Sequence, residues 1–232
     1  MDIFLWMIVP YVCLAVFVLG HVWRYRYDQF GWTTRSSQMY EDRILRWAGP
    51  MFHFGILAVV VGHAMGLLIP MAWTEALGIS QEFYHFLAVF VGGIAGIFTV
   101  VGLALLIIRR RSNKRIMGST TVMDKIMYAM LSLVILSGVG NTLGGLFSHY
   151  NYREGVSPWF RGVFSFSPDP AYMAEAPFGF QLHAMAAMLL FALWPFTRLV
   201  HVFSAPVGYL FRPYIVYRSR DDKPRTPSRA GW

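Results

Sequence analysis

The chain has 232 residues, of which 56% are hydrophobic and only 14% are charged. Soluble globular domains carry about 25% charged residues, so this composition excludes an ordinary soluble domain. The formal net charge of +8 would suggest nucleic-acid binding in a soluble chain, but the basic residues here lie between long apolar blocks, where membrane topology explains them. We predict no nucleic-acid partner.

Five apolar stretches are long enough to cross a bilayer, which takes about 20 residues in a helix. They cover residues 3–23, 48–70, 84–108, 126–147 and 178–203, and Arg198 is the one charged residue among them. The first stretch has no basic region before it, so we interpret it as a retained span and not as a cleaved signal peptide. The pattern predicts an all-α, polytopic membrane protein: a five-helix transmembrane bundle in residues 1–203 and a polar tail in 204–232.

The basic residues are divided unequally between the two faces of this bundle. Of the 20 Lys and Arg residues, 18 lie in segments 24–47, 109–125 and 198–232, and the remaining two, Arg153 and Arg161, lie in the loop 148–177. Because Lys and Arg are enriched in cytoplasmic loops, this distribution predicts an N-terminus outside the membrane and a C-terminus in the cytoplasm.

The single cysteine, Cys13, limits the cofactors that the chain can hold. It excludes an internal disulfide, Cys-x-x-Cys-His attachment of haem and a four-cysteine iron–sulfur cluster. Any redox cofactor must therefore be held by histidine, or by methionine.

Four histidines lie inside two of the apolar stretches: His53 and His63 in the second, His183 and His201 in the fifth. Ionisable side chains are costly in hydrocarbon and usually serve a function there, and imidazole is a common axial ligand of haem iron. Since the two spans run in opposite directions, depth pairs His53 with His201 and His63 with His183. This predicts two bis-histidine b haems, one above the other; hydrogen bonding between helices is the structural alternative.

The spacing of the histidines contains one conflict. Ten residues separate His53 from His63 and rise about 15 Å in a helix, whereas the 18 residues between His183 and His201 rise about 27 Å. Tilt, or a bend at Pro195, would absorb part of this difference. Arg198, one turn before His201, is predicted to pair with a propionate of the inner haem, or else to mark the membrane boundary by snorkelling. His21, His85 and His149 are interpreted as interfacial.

Several segments resemble the gamma subunit of respiratory nitrate reductase. The similarity extends from residue 11 to about 217, and the segments that carry it are Gly20-His-Val-Trp-Arg-Tyr25, Asp28-Gln-Phe-Gly-Trp32, Ser36-Ser-Gln-Met39, Phe52-His-Phe-Gly-Ile-Leu57, Val61-Gly-His-Ala-Met-Gly66 and Trp194-Pro-Phe-Thr-Arg-Leu-Val-His-Val-Phe-Ser204. The resemblance implies a multi-pass cytochrome b of the inner (cytoplasmic) membrane. Such a subunit oxidises quinol near the outer face and passes electrons through two b haems to an iron–sulfur beta subunit and a molybdenum-cofactor alpha subunit.

The resemblance also implies that His53 and His201 ligate the inner haem, and His63 and His183 the outer one. A lysine implicated in quinol binding in some members is absent before the third span, where Tyr84 and His85 stand instead. We predict that menaquinol or ubiquinol binds near His63, with Tyr84 or His85 donating a hydrogen bond to a quinol oxygen.

Two alternatives to this function remain open. The chain could be the haem b anchor of a different cytoplasmic reductase, such as one acting on sulfur compounds. It could also be a transporter that uses its histidines as a proton relay, although such folds usually have inverted repeats or broken helices, which the sequence does not reveal.

Overall fold

The computed structural model describes residues 1–33, 36–148, 150–204 and 211. Within these residues the regular structure is entirely helical. Five helical segments are long and apolar enough to cross a membrane: Phe4–Tyr27, Leu45–Leu68, Gln81–Ser112, Val122–Gly144 and Phe178–Phe196. The prediction of an all-helical, five-span fold is confirmed. Most of the predicted tail 204–232 lies outside the described residues.

The α-helices are numbered in chain order, and short π or 3-10 turns extend some of them. They are α1 (Val9–Tyr27, after a π turn at Phe4–Ile8), α2 (Leu45–His63, followed by a π turn at Ala64–Leu68), α3 (Met71–Ala76), α4 (Gln81–Ser112), α5 (Lys114–Gly118), α6 (Val122–Gly144), α7 (Val156–Phe164), α8 (Ala171–Ala174) and α9 (Phe178–Leu193).

Local sequence signals explain where the long helices begin. The Ser80 hydroxyl accepts a hydrogen bond from the Phe83 N–H (3.2 Å) and starts α4, three residues earlier than predicted. At α6, the Thr121 hydroxyl and the Asp124 carboxylate each accept the other residue's backbone N–H, which is a capping box. The basic residues Arg109, Arg110 and Arg111 in the last turn of α4 suit the negative end of its dipole.

Helices α2 and α4 approach each other so closely that only glycine fits at the contact. A Cβ atom on Gly102 of α4 would lie 2.5 Å from the backbone nitrogen of Phe52, and one on Gly55 of α2 would lie 2.8 Å from the backbone nitrogen of Thr99. Helix α4 also packs on α6, and α9 packs on both α6 and α1. This arrangement leaves α2 and α9 free to present side chains to each other.

The loop after α6 covers one end of the bundle with α7. The Trp159 indole N–H donates to the carbonyl of Trp6 (2.7 Å), the Ser157 hydroxyl to that of Gly66 (2.9 Å), and Arg161 to that of Leu67 (3.1 Å). The carbonyls of Gly66 and Leu67 belong to the π turn at the C-terminal end of the second span, where helical donors are lacking. We call this the α7 end, and we call the opposite end, with the loop 28–44, the basic end.

The fifth span differs from its prediction as one continuous helix to residue 203. Helix α9 ends at Leu193 and is followed by a 3-10 turn, Trp194–Phe196, an extended residue, Thr197 (φ −110°, ψ 177°), and a second 3-10 segment, Arg198–Ser204. Pro195 has no N–H and its ring clashes with the preceding helical turn, which breaks an α-helix. The predicted bend is therefore a full interruption.

Candidate functional site

The four membrane histidines come together as two pairs, each joining α2 to the fifth span. The ring centroids of His53 and His201 lie 6.2 Å apart, and those of His63 and His183 lie 5.9 Å apart. The planes of the rings meet at 69° in the first pair and at 31° in the second. The structure thus brings together the residues that depth paired, with His53 and His201 at the basic end.

Each of these histidines has its Nδ1 atom tied to a backbone carbonyl. The bonds are His53 to Gly49 (2.7 Å), His63 to Val59 (2.8 Å), His183 to Val134 (3.0 Å) and His201 to Arg198 (2.7 Å). Because a carbonyl only accepts, Nδ1 carries the proton and Nε2 is left with a lone pair. Metal-bound histidines usually donate their second ring N–H in this way.

His183 is held more closely than the other three histidines. Its Nδ1 also lies 3.2 Å from the Ser137 hydroxyl of α6. A Cβ atom on Gly138 would lie only 2.8 Å from the Cε1 atom of His183, so the absence of a side chain there makes room for the imidazole. Helix α6 therefore positions a ring that α9 carries.

The donor set fits a metal whose remaining positions are filled by a macrocycle. Over the described ranges, no three His, Cys, Asp or Glu side chains come close enough to share a metal ion, so each pair offers two donors. Two in-line metal–imidazole bonds of about 2 Å each, with about 1 Å from each nitrogen to its ring centre, separate the ring centres by about 6 Å. The observed 6.2 and 5.9 Å are close to this separation, so each pair could hold a haem iron.

The other described histidines do not form such a pair. His21 bonds the Phe17 carbonyl (2.7 Å) and is surrounded by the rings of Phe17, Trp32 and Phe203. His85 uses Nε2 itself, which lies 3.0 Å from the Gly145 carbonyl. His149 lies outside the described residues.

Arg198, predicted to meet a haem propionate, forms a two-point ion pair with Asp124 at the start of α6. Its Nε lies 2.9 Å from one carboxylate oxygen and its Nη2 lies 2.6 Å from the other. The Asp124 side chain is 4% exposed and that of Arg198 is 12% exposed, so this pair is largely buried. It ties the segment after the break to α6.

The residues predicted for quinol binding lie at the α7 end. The Arg153 guanidinium stacks 3.9 Å from the centre of the Tyr84 ring. The hydroxyl of Tyr152 lies beside Gly66, one turn beyond His63, where it would contact a Cβ at 2.6 Å. Burial raises the pKa of Tyr152 above its ordinary value, and the electrostatic effect of the neighbouring Tyr84 raises this pKa further. The phenol of Tyr152 therefore stays protonated at neutral pH.

The chain matches the family described as nitrate reductase gamma subunit over residues 2–220. It belongs to this family. The resemblance found in the sequence is confirmed.

Similar proteins extend the comparison. The chain is 56% identical over 231 residues to the nitrate reductase-like protein NarX of Mycobacterium tuberculosis, covering 98% of this chain but 35% of that protein; it thus spans about a third of this relative. It is 45% identical over 217 residues to the nitrate reductase gamma chain of Bacillus subtilis, covering 93% of this chain and 97% of that protein. It is 35% identical over 223 residues to the respiratory nitrate reductase 2 gamma chain of Escherichia coli, covering 95% of this chain and 98% of that protein.

Several residues that shape the site in this family member were not singled out by the sequence analysis. Ser137 binds His183, Asp124 holds Arg198, and Arg24 reaches the break in the fifth span. Asp124 alone had a visible signal, because it completes the Thr121 capping box. The others are small or basic residues whose partners are distant in sequence.

Proposed function

We propose that this chain is the membrane cytochrome b subunit of a respiratory nitrate reductase. It would oxidise quinol at the outer face and pass electrons through two b haems to a cytoplasmic iron–sulfur subunit. The observation that carries the proposal is two imidazoles about 6 Å apart at each of two levels, every one with Nδ1 bonded to a carbonyl. Family membership supports it independently.

We propose that the basic end faces the cytoplasm and the α7 end faces outward, because 18 of the 20 Lys and Arg residues belong to the sequence segments 24–47, 109–125 and 198–232, and such residues are enriched in cytoplasmic segments. In this orientation His53 and His201 would hold the inner haem, and His63 and His183 the outer one. Haem, when bound, supplies one-electron redox chemistry. The guanidinium of Arg198 has five N–H donors, so it could serve a haem propionate as well as Asp124.

The quinol site is proposed at the α7 end near His63. Tyr84 and His85 are the hydrogen-bonding groups predicted for a quinol oxygen, and the Arg153 guanidinium stacked on Tyr84 keeps a positive charge beside them. A cation there favours loss of a proton from a bound quinol. Protons released at this face and electrons delivered to the other would build membrane potential, at about 2.3 kcal/mol for each charge moved across 100 mV.

We propose that the basic end receives the partner subunits, the iron–sulfur beta and molybdenum-cofactor alpha chains. Arg109 of α4 is 4% exposed and binds the loop 28–44 through Ser37 and Glu41, with Nη1 3.0 Å from the Ser37 hydroxyl and Nε 2.6 Å from the Glu41 carboxylate. This anchoring presents Met39, which is fully exposed, beside the contacts at Ser37 and Glu41. Exposed apolar side chains on an ordered loop suit a protein partner.

The proton-relay alternative has weaker support. Breaks like the one after α9 occur in transporter helices. A relay, however, must pass protons through both ring nitrogens, and here each Nδ1 is bonded to a backbone carbonyl, which cannot carry a proton onward.

The test is the visible spectrum of the purified protein expressed with its partner subunits, together with the haem content per chain and its reduction by a quinol analogue. We expect two b haems per chain, reduced by the quinol. A colourless preparation, or haem that the quinol leaves oxidised, would contradict the proposal.

A further inference from the structure

We infer that Arg24 is a positioning residue for His201. By holding the carbonyl of Pro195, it fixes the break in the fifth span, and thereby sets the place at which His201 meets His53. The inference rests on the proposed function, since its consequence is measured at the inner haem.

The two histidine pairs determine the distance that the fifth span must cover between His183 and His201. Because both pairs are about 6 Å apart, the 18 residues from His183 to His201 must cover about the same distance as the ten residues from His53 to His63, or about 15 Å of helix. The first ten residues, from His183 to Leu193, already supply that rise within α9. The eight that follow can therefore add little further rise along the bundle axis.

The 3-10 geometry of the turns after α9 does not by itself shorten this segment along the bundle axis. A 3-10 helix rises about 2.0 Å per residue against 1.5 Å for an α-helix, so it lengthens the segment. The shortening must come from a change of direction, and Thr197 is the extended residue between the two 3-10 segments.

The hydrogen bonds show how this change of direction is held. In a continuing α-helix the N–H of Leu199 would donate to the carbonyl of Pro195. Instead it donates to the Thr197 hydroxyl at 3.1 Å, and the carbonyl of Pro195 accepts from Arg24. Arg24 thus takes the place of the missing helical donor.

Arg24 is placed to do this by the end of α1. Its side chain is buried (5% exposed), and its Nη2 also donates to the Gly31 carbonyl at 2.7 Å. A planar guanidinium can hold acceptors in several fixed directions at once, so one residue joins α1, the following loop and the break.

A second contact from the same face of α1 supports this role. The ring of Pro195 lies on Gly20, one turn before Arg24, and a Cβ on Gly20 would stand 2.8 Å from two of its ring carbons. Beyond the break, Val200 is fully buried and Nδ1 of His201 bonds the Arg198 carbonyl. A displacement of Pro195 is therefore transmitted to the imidazole.

The experiment compares Arg24→Gln, Arg24→Lys and Gly20→Ala in the complex with its partner subunits. The matched control is Arg26→Gln, which removes an exposed charge from the same helix end. Electron paramagnetic resonance reports the angle between axial imidazole planes, and redox titration reports each haem's potential. We expect Arg24→Gln and Gly20→Ala to shift the resonance and potential of one haem, the one lost in His53→Ala. Arg24→Lys should restore part of the change, because an ammonium can donate to one carbonyl.

Other results would overturn the inference. If Arg24→Gln leaves both haem signals as in the wild type, the inference is wrong while the proposed function stands. If Arg24→Gln and Arg24→Lys lose both haems together, or fail to accumulate, Arg24 serves folding in general and the inference is again wrong. A wild-type protein without haem would remove the proposed function and the inference with it.

Discussion

The two histidine pairs are built differently, although they lie on the same two spans. At the α7 end, His63 and His183 both belong to regular α-helices, and their rings are tilted by only 31°. At the basic end, His53 belongs to α2, but His201 belongs to a 3-10 segment beyond a break, and the rings meet at 69°.

This difference shows two ways to place a ligand in a membrane. In a regular helix, backbone hydrogen bonds fix the position of a side chain whatever the neighbouring residues are. Beyond a break, side chains from other helices must hold the segment, here Arg24 at the Pro195 carbonyl and Asp124 at the Arg198 guanidinium. The basic-end pair should therefore depend on more residues outside the pair than the α7-end pair does.

The largest expected effects come from removing the histidines themselves. His63→Ala and His183→Ala should each remove the outer haem and abolish quinol oxidation, whereas His53→Ala and His201→Ala should remove the inner haem, spare quinol binding and stop electron delivery to the partner. Haem content and quinol-dependent reduction measure these outcomes. His21→Ala, which changes an unpaired histidine, should retain both haems. Two haems in all four variants would show that these histidines are not the ligands.

The next largest effect should come from Asp124→Ala, which leaves the buried guanidinium of Arg198 without its carboxylate. Removal of one partner from a buried ion pair costs about 3–5 kcal/mol. We expect a lower unfolding temperature together with a change in the inner haem, because the segment that carries His201 loses its anchor on α6. Glu82→Gln, an exposed change in the first turn of α4, is the control. An equal change in both haems would argue against separate dependence of the two pairs.

Gly138→Ala tests whether the α7-end pair depends on the contact between α6 and His183. The added Cβ would lie 2.8 Å from the His183 ring, and overpacking of this kind costs about 1–3 kcal/mol. We expect a shift in the absorption and resonance of the outer haem only. The control is Gly140→Ala on the same helix, where a Cβ meets no atom within 4 Å. If Gly140→Ala produces the same shift, contact with His183 is not the cause.

The sequence was sufficient to predict the spans and to predict which histidines come together. Hydropathy locates each span, and the alternating direction of successive spans determines the depth of each histidine. It was insufficient for the basic end. Pro195 indicated a bend, but the partner that makes it an interruption, Arg24, is 171 residues away, and no local pattern links the two. Helix α7 was likewise read as loop, since its contacts with Trp6 and Gly66 arise only when the spans assemble.

The smallest expected effect concerns the loop 28–44, which also depends on side chains from another helix. Burial acts to raise the pKa of Glu41, but the Ile44 N–H and the Arg109 guanidinium outweigh it and lower the pKa. A carboxyl whose pKa is lower in the folded state stabilises that state above its unfolded pKa, and this contribution is lost as the pH falls through the folded value. Acidification below about pH 4.3 should therefore release the loop, seen as weaker protection of the amides of residues 37–44 against hydrogen exchange, after correction for the intrinsic effect of pH on exchange.

Glu41→Gln is the matched variant for this experiment. It keeps the length of the side chain but removes the titrating charge, so protection of the loop amides should already be weaker at neutral pH and should no longer change on acidification. The protection of amides at the α7 end, where backbone carbonyls accept from Ser157 and Trp159, should stay constant over the same range once the intrinsic effect of pH on exchange is corrected for, because none of those groups titrates. Equal loss of protection at both ends would mean that acid loosens the whole bundle, and the contrast between backbone-held and side-chain-held regions would not extend to this loop.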